Sequence, residues 1–339
     1  MKRWWLISIV WLLALPSCFR DDQKLAELPP FIQEIQTNRG KEGQLFYSLR
    51  DKEIKSSNGI YTWDLAFSCT PGDFTILVNS GKKMGVYNTQ SKTIEAAFSP
   101  EYRSYVWSYD NPSSFQDGSA VGEWGDFNFE KPQSFGDVYI LNRGFDRYNL
   151  PFQMKKFRVD GIRGNSYEIS FGDVDDKQPR KLFIPRNDSF NFVYVSLDND
   201  GQILELEPPK WDWDFQVTTF MDTSRYSNLY TRSDSVTPQY ILFDGFLLNP
   251  YKRWASFDST NSFSDLGFFD AETLEYSQSR NTIGNSWYDW NPDINQYQVS
   301  DHRTIVLRSE DLYFYLIEFR KFHKPHKEDA VIQFAIRNL

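Results

Sequence analysis

Short segments in which apolar and polar residues alternate recur along this chain, separated by turn residues. The clearest is Tyr167–Phe171, where Tyr, Ile and Phe alternate with Glu and Ser. Alternation with a period of two is typical of a half-buried β-strand. Aromatic residues, which favour strands, make up 17% of the chain. Because no long stretch has a helical period, the pattern predicts an all-β protein.

The same patterns place the individual strands and turns. Strands are predicted at residues 45–49, 60–67, 74–78, 139–144, 152–159, 167–171, 190–197, 203–207, 211–215, 240–245, 312–320 and 331–336. Turns are predicted at 56–59, 79–81 and 198–201, and a connection at 177–189, from their Gly, Asn, Asp, Ser and Pro residues.

One stretch of the chain occurs twice. Tyr61–Phe67 reads YTWDLAF, and Lys210–Phe215 reads KWDWDF. An ungapped shift of 148 residues maps Trp63, Asp64 and Phe67 onto Trp211, Asp212 and Phe215, and Ser48-Leu49 onto Ser196-Leu197. A period of this length corresponds to a whole domain. We therefore predict two tandem antiparallel β-sandwich or distorted-barrel domains, at residues 43–180 and 190–339, and expect the two to pack as an internal pseudo-dimer.

The first residues predict export. A basic start, Lys2-Arg3, precedes an apolar run from Trp4 to Pro16, which is too short to span a bilayer comfortably. Residues 1–17 therefore read as a signal peptide. Leu15–Cys18 resembles a bacterial lipobox, in which the signal is cut before a cysteine that receives acyl chains. An ordinary signal peptide and a lone N-terminal helix anchor are the alternatives.

Residues 18–42 are polar and predict a tether behind the acylated Cys18. Acyl chains would anchor the protein to a membrane, so we expect it at the outer membrane or the cell surface. Arg20-Asp21-Asp22 resembles the surface-export signal of lipoproteins in some diderm bacteria, although a solvated tether also explains it.

Charge and composition exclude several classes of function. The formal net charge is −9, and the Lys and Arg residues are scattered, so nucleic acid is not an expected partner. Two cysteines, one of them Cys18, exclude a disulfide framework and a cysteine-based zinc site. Cys69 is expected to be a small core residue.

Enzymatic motifs are missing from the sequence. It contains no phosphate-binding Gly-Lys-Ser/Thr loop, no His-Glu-x-x-His helix and no Gly-x-Ser-x-Gly elbow. Paired carboxylates such as Asp175-Asp176 or Asp212 with Asp214 are candidates for glycoside hydrolysis only in a trivial sense. The Asp of the repeated stretch is expected to accept backbone or Trp N–H groups, which is a role in the fold. We predict that the protein is not an enzyme.

Several segments together carry a family resemblance. They are Tyr61–Phe67, Ile76–Gly81, Tyr139–Gly144, Phe152–Val159, His302–Arg320 and Val331–Ile336. In their order they resemble the HmuY-like haem-binding lipoproteins, over about residues 43–338 and as two copies. The resemblance implies an all-β, surface-anchored protein that captures haem and passes it to an outer-membrane transporter.

The candidate haem ligands implied by the resemblance are His302, His323 and His326, the only three histidines. Two axial ligands must approach a porphyrin from opposite faces, and the first repeat has no histidine. Met84 and Met154 are conceivable ligands there, although packing is the more ordinary role. His323 and His326 are expected at a hairpin tip, where they either chelate a divalent metal or belong to a solvated turn.

A further candidate for ligand binding is the aromatic segment 90–135. It forms either an aromatic ligand surface or irregular strands that cover one end of the domain. The sequence therefore leaves three functions open: haem capture, stacking of exposed Trp and Tyr on a glycan or partner protein, and a structural part in an outer-membrane complex.

Overall fold

The computed structural model describes residues 29–339 apart from 114–117, 129–131, 224–239, 301–302, 310–312 and 327–328. Phe31–Leu339 forms one compact unit. Its regular structure consists of β-strands, a few 3-10 turns and one short helix, α1 (Phe268–Glu272), within the described residues. The predicted all-β class is confirmed.

The strands are antiparallel neighbours throughout. In chain order they are β1 (Phe31–Asn38), β2 (Gln44–Ser48), β3 (Glu53–Asn58), β4 (Leu65–Ser68), β5 (Ile76–Val78), β6 (Gly85–Asn88), β7 (Gly125–Asp126), β8 (Gln133–Ser134), β9 (Val138–Asn142), β10 (Lys155–Arg163), β11 (Ser166–Asp173), β12 (Arg180–Pro185), β13 (Phe192–Ser196), β14 (Gln202–Leu204), β15 (Phe215–Thr223), β16 (Tyr240–Leu248), β17 (Arg253–Asp258), β18 (Tyr288–Asn291), β19 (Gln296–Val299), β20 (Thr304–Ser309), β21 (Phe314–His326) and β22 (Asp329–Asn338).

Four sheets carry most of these strands. Sheet I has the order β1-β22-β21-β20-β17, sheet II β12-β11-β10-β9-β6, sheet III β14-β13-β4-β5 and sheet IV β16-β15-β2-β3. Two small ribbons, β7–β8 and β18–β19, complete the described part.

The sheets stack in the layer order I, IV, III, II. Leu45 and Tyr47 of β2 belong to the core shared with sheet I, whereas Phe46 between them packs with Trp213 and residues of sheet III. Leu65 and Phe67 of β4 face the core shared with sheet II. Because alternate side chains of a strand point to opposite faces, sheets III and IV must be apolar on both faces. This explains why β2 and β4 are buried along their whole length.

The two repeats exchange strands. When 148 is added to their residue numbers, the bounds of β2 become those of β13. In sheet III, β13 of the second repeat pairs with β4 of the first, with Val195 opposite Leu65. In sheet IV, β2 of the first repeat pairs with β15 of the second, with Tyr47 opposite Phe215. Strands of the two repeats are therefore interleaved in these sheets. The internal pseudo-dimer of two domains stays a prediction.

The predicted domain boundaries therefore separate strands that pair with each other in one sheet. β1 belongs to sheet I through its pairing with β22, although residues 18–42 were expected to be a tether. The predicted connection 177–189 contains β12, which extends sheet II.

Some local predictions were wrong. Residues 56–58 lie in β3 rather than in a turn, and residues 60–62 form a 3-10 turn before the short strand β4. The strand predicted at 211–215 begins only at Phe215 and continues to Thr223. In each case pairing with a distant strand, which local sequence does not contain, decides the boundary.

Candidate functional site

The repeated Asp lies at the centre of a buried ion cluster in each repeat. Asp64 is paired with Lys82 Nζ at 2.6 Å and with Arg143 Nη2 at 2.9 Å. It also accepts the backbone N–H of Leu197 from the other repeat at 2.8 Å. Burial alone would raise the pKa of the Asp64 carboxyl, but the positive charges of Lys82 and Arg143 outweigh burial and lower it.

The second repeat builds the same cluster around Asp214. Its carboxylate is paired with Lys252 Nζ at 3.1 Å and Arg253 Nη2 at 2.5 Å, and it accepts the N–H of Leu49 at 2.5 Å. Each carboxylate thus fixes the hairpin that the other repeat contributes. This confirms the predicted role in the fold and leaves neither Asp64 nor Asp214 free for acid–base chemistry.

The counterpart of Asp64 is therefore Asp214. The ungapped shift predicted Asp212, which was wrong. Asn79 Nδ2 donates to the carbonyls of Ile60 and Trp63, and Asn249 Nδ2 donates in the same way to Lys210 and Trp213. Trp213 is 1% exposed, whereas Trp211, the predicted counterpart of Trp63, is 49% exposed. Two extra residues between the hairpin and this stretch shift the register.

Of the three histidines, His323 and His326 lie within the described residues, and neither lines one of the two spaces described below. His302 lies outside the described residues. His323 and His326 are exposed and lie at the end of β21, opposite Val331 and Asp329 of β22, close to the point where the chain passes from β21 to β22. Within the described residues, no group of three or more His, Cys, Asp and Glu side chains is placed to hold a metal ion.

The remaining residues singled out in the sequence either pack within the fold or lie outside the described residues. Met84 is fully buried in the core between sheets II and III, and Met154 is half-buried. Cys69 is a buried free thiol, and burial raises its pKa. Cys18 lies outside the described residues. A search of the described part finds no helix with the length and apolarity needed to cross a membrane.

A small cavity with both polar and apolar walls lies between sheets III and IV. Its volume is about 60 Å³, and its walls include Tyr194, Gln216, Asp110 and Arg280. This volume suits a few waters and is far below the roughly 300–1,000 Å³ of small-molecule sites.

A much larger space opens at the loop that joins β4 to β5. This groove of about 710 Å³ is lined by residues that include Cys69, Gly72, Phe74, Phe127, Arg186 and Asn187, and we call it the Phe74–Phe127 groove. The rings of Phe74 and Phe127 are 5.5 Å apart and tilted by 39°. A volume of this size falls within the roughly 300–1,000 Å³ of small-molecule sites. Sequence analysis missed this groove, because no motif marks its residues.

A group of exposed and half-buried aromatic rings contains residues of both repeats. We call Tyr87, Tyr102, Tyr105, Trp107, Tyr109 and Tyr240 the aromatic strip. Neighbouring rings in it are 4.9 to 5.3 Å apart. Tyr102 is 47% exposed, while Trp124 of the same predicted segment 90–135 is buried in the core. The segment therefore contributes both a core residue and exposed rings. Its role as an aromatic ligand surface stays a prediction.

Three comparisons with known proteins bear on this chain. The family model described as "HmuY protein" matches residues 40–335. Among solved structures, the chain is similar to the crystal structure of apo PinO from Porphyromonas gingivitis, with 11% identity, 54% of this chain and 95% of that chain covered, and a TM-score of 0.18. The comparison with curated proteins gives no match.

Proposed function

The chain belongs to the HmuY family, and we propose from this membership that it is an exported, lipid-anchored protein that captures a ligand of the haem type. The observation that carries the proposal is the family match, which extends over nearly the whole compact unit, from residue 40 to residue 335. Acyl chains on Cys18 would hold the protein at the outer membrane or cell surface. From there it would pass its ligand to an outer-membrane transporter.

Neither of the two buried ion clusters is suited to general acid–base catalysis. The buried carboxylates Asp64 and Asp214 are each held by two basic side chains and a backbone N–H. A general acid or base must instead be free to exchange a proton with a substrate.

The described histidines do not fit a paired axial ligation of haem iron. Two axial ligands approach the porphyrin from opposite faces. His323 and His326 lie on one strand end with two residues between them, and both are exposed. Neither lines the Phe74–Phe127 groove. His323 and His326 alone therefore do not supply a pair of axial ligands on opposite faces of a porphyrin.

A haemin titration of the chain from Asp22 to Leu339 tests the proposal. We expect a saturable, red-shifted Soret band, because burial of a porphyrin between protein groups changes its absorbance. His302→Ala, His323→Ala and His326→Ala run beside the wild type, and loss of the band in one of them would identify an axial ligand. A titration without saturation would remove haem from the function and leave the family assignment unchanged.

The aromatic strip favours a second candidate, the binding of a glycan or partner protein by exposed rings. Tyr102 contributes an exposed ring and a hydroxyl that lies 3.3 Å from that of Tyr109. If soluble oligosaccharides bind there, tryptophan fluorescence should change on titration without any Soret signal. Tyr102→Ala should weaken binding several-fold, since an aromatic contact contributes about 0.5–1.5 kcal/mol. Tyr313→Ala, at a more exposed position outside the strip (62% against 47% for Tyr102), is the control and should have no effect.

A further inference from the structure

We propose that the Phe74–Phe127 groove binds a flat, apolar ligand that carries a carboxylate, and that Arg186 recognises this carboxylate. The inference rests on the proposed function, since it assigns a place and a chemistry to the captured ligand. It also accounts for recognition without a histidine, because no histidine lines the groove.

The apolar wall of the groove is fixed before any ligand arrives. The backbone carbonyl of Phe74 accepts a hydrogen bond from Trp124 Nε1 at 2.8 Å, and Trp124 packs against Phe127 with ring centres 5.3 Å apart. Both aromatic residues of the wall are therefore tied to the core between sheets II and III. Rigid aromatic walls favour flat ligands, because little side-chain freedom is lost on binding.

The charge in the groove comes from Arg186. Its guanidinium lies 4.8 Å from the ring centre of Phe74 and 5.5 Å from that of Tyr167. Nη2 donates to the backbone carbonyls of Thr70 at 2.6 Å and of Asp73 at 3.1 Å, which fixes the side chain. Arg186 is thus a half-buried cation whose position is set by stacking and by neutral carbonyls.

Arg186 has no carboxylate partner among the described residues. In contrast, each basic residue of the two ion clusters pairs with an Asp. These residues are Lys82, Arg143, Lys252 and Arg253. No described carboxylate lies within 4.0 Å of Arg186, and its Nε is buried without an acceptor. A guanidinium has five donors and binds carboxylates in pairs of hydrogen bonds, so a ligand carboxylate would complete this site.

Binding of metal-free protoporphyrin IX to the chain from Asp22 to Leu339 tests the inference, with fluorescence as the readout. We expect saturable binding that is weakened at least about tenfold in Arg186→Gln, since hydrogen bonds between charged groups are roughly twice as strong as those between neutral groups. Protoporphyrin IX dimethyl ester, which lacks the carboxylates, should bind wild type and Arg186→Gln equally weakly.

Two further variants separate recognition from folding. Arg163→Gln is the matched control, because Arg163 also stacks on a ring, that of Phe183 at 5.6 Å, but is exposed and paired with Glu168. Asp188 lies on the groove and is exposed, so Asp188→Lys should tighten binding of the dicarboxylate several-fold, a gain that misfolding cannot produce.

The outcomes distinguish this inference from the proposed function. If wild type binds haemin and protoporphyrin but Arg186→Gln and Asp188→Lys bind them unchanged, the groove assignment is overturned and ligand capture stands. If neither porphyrin binds wild type, the haem-type function fails, and the groove assignment fails with it.

Discussion

Replacing Asp64 with Asn is expected to lower the free energy of unfolding by about 3–5 kcal/mol, which is the usual cost of removing one partner from a buried ion pair. The change removes the negative charge beside Lys82 and Arg143, whose side chains are only 1% and 3% exposed. It also weakens the acceptor for the Leu197 N–H, which fixes the exchanged hairpin in sheet III. Urea unfolding followed by tryptophan fluorescence measures the loss.

The pH dependence gives a second readout of the same variant. The pKa of Asp64 is lowered in the folded state, so its stabilising contribution is present above the unfolded value of about 4 and is lost as the pH falls below it. The difference in stability between wild type and Asp64→Asn should therefore be largest at neutral pH and shrink in acid.

Asp214→Asn should also be destabilising, because the second cluster likewise joins an Asp to a Lys, an Arg and a backbone N–H. Its effect should be somewhat smaller, since Lys252 is 13% exposed and lies 3.1 Å from Asp214. Glu318→Gln is the control, since its pair with Arg320 is exposed on both sides and should contribute less than about 1 kcal/mol. A loss of stability in Asp64→Asn no larger than in this control would refute the role assigned to the clusters.

The repeat was visible in the sequence, but the register of its second copy was not. Lys210–Phe215 contains two Trp-Asp pairs, and periodicity alone cannot choose between them. Only the three-dimensional structure shows that Trp213 and Asp214 are the buried pair, because burial and the bond to Leu49 N–H depend on a strand from the first repeat.

The difference between local and long-range information also explains which other features the sequence could predict. The strand at Tyr167–Phe171 was found because strict alternation is a local property, and it lies within β11. The exchange of hairpins and the environment of Arg186 depend on residues more than a hundred positions apart, such as Arg186 and Thr70. Local sequence carries no signal for such pairings, and no motif compensated for it.

Cutting the chain between the two repeats is expected to leave them associated. A recognition sequence for a specific protease, inserted between the exposed residues Asp188 and Ser189, would separate β1–β12 from β13–β22. Three sheets would then contain strands of both fragments, through the pairings of β1 with β22, β2 with β15 and β4 with β13. After cleavage, the fragments should elute as one species in size-exclusion chromatography and separate only in denaturant.

The variant Asp214→Asn sharpens this experiment. Asp214 lies on the C-terminal fragment and binds the Leu49 N–H of the N-terminal fragment, so its loss should lower the denaturant concentration at which the cut protein dissociates. Glu318→Gln in the same cut chain should not. Two folded fragments that elute separately without denaturant would instead mean that residues 43–180 and 190–339 are independent domains. Co-elution would mean that the ligand site of the first repeat is built on a scaffold that neither repeat completes alone, because strand exchange makes each half part of the other's sheets.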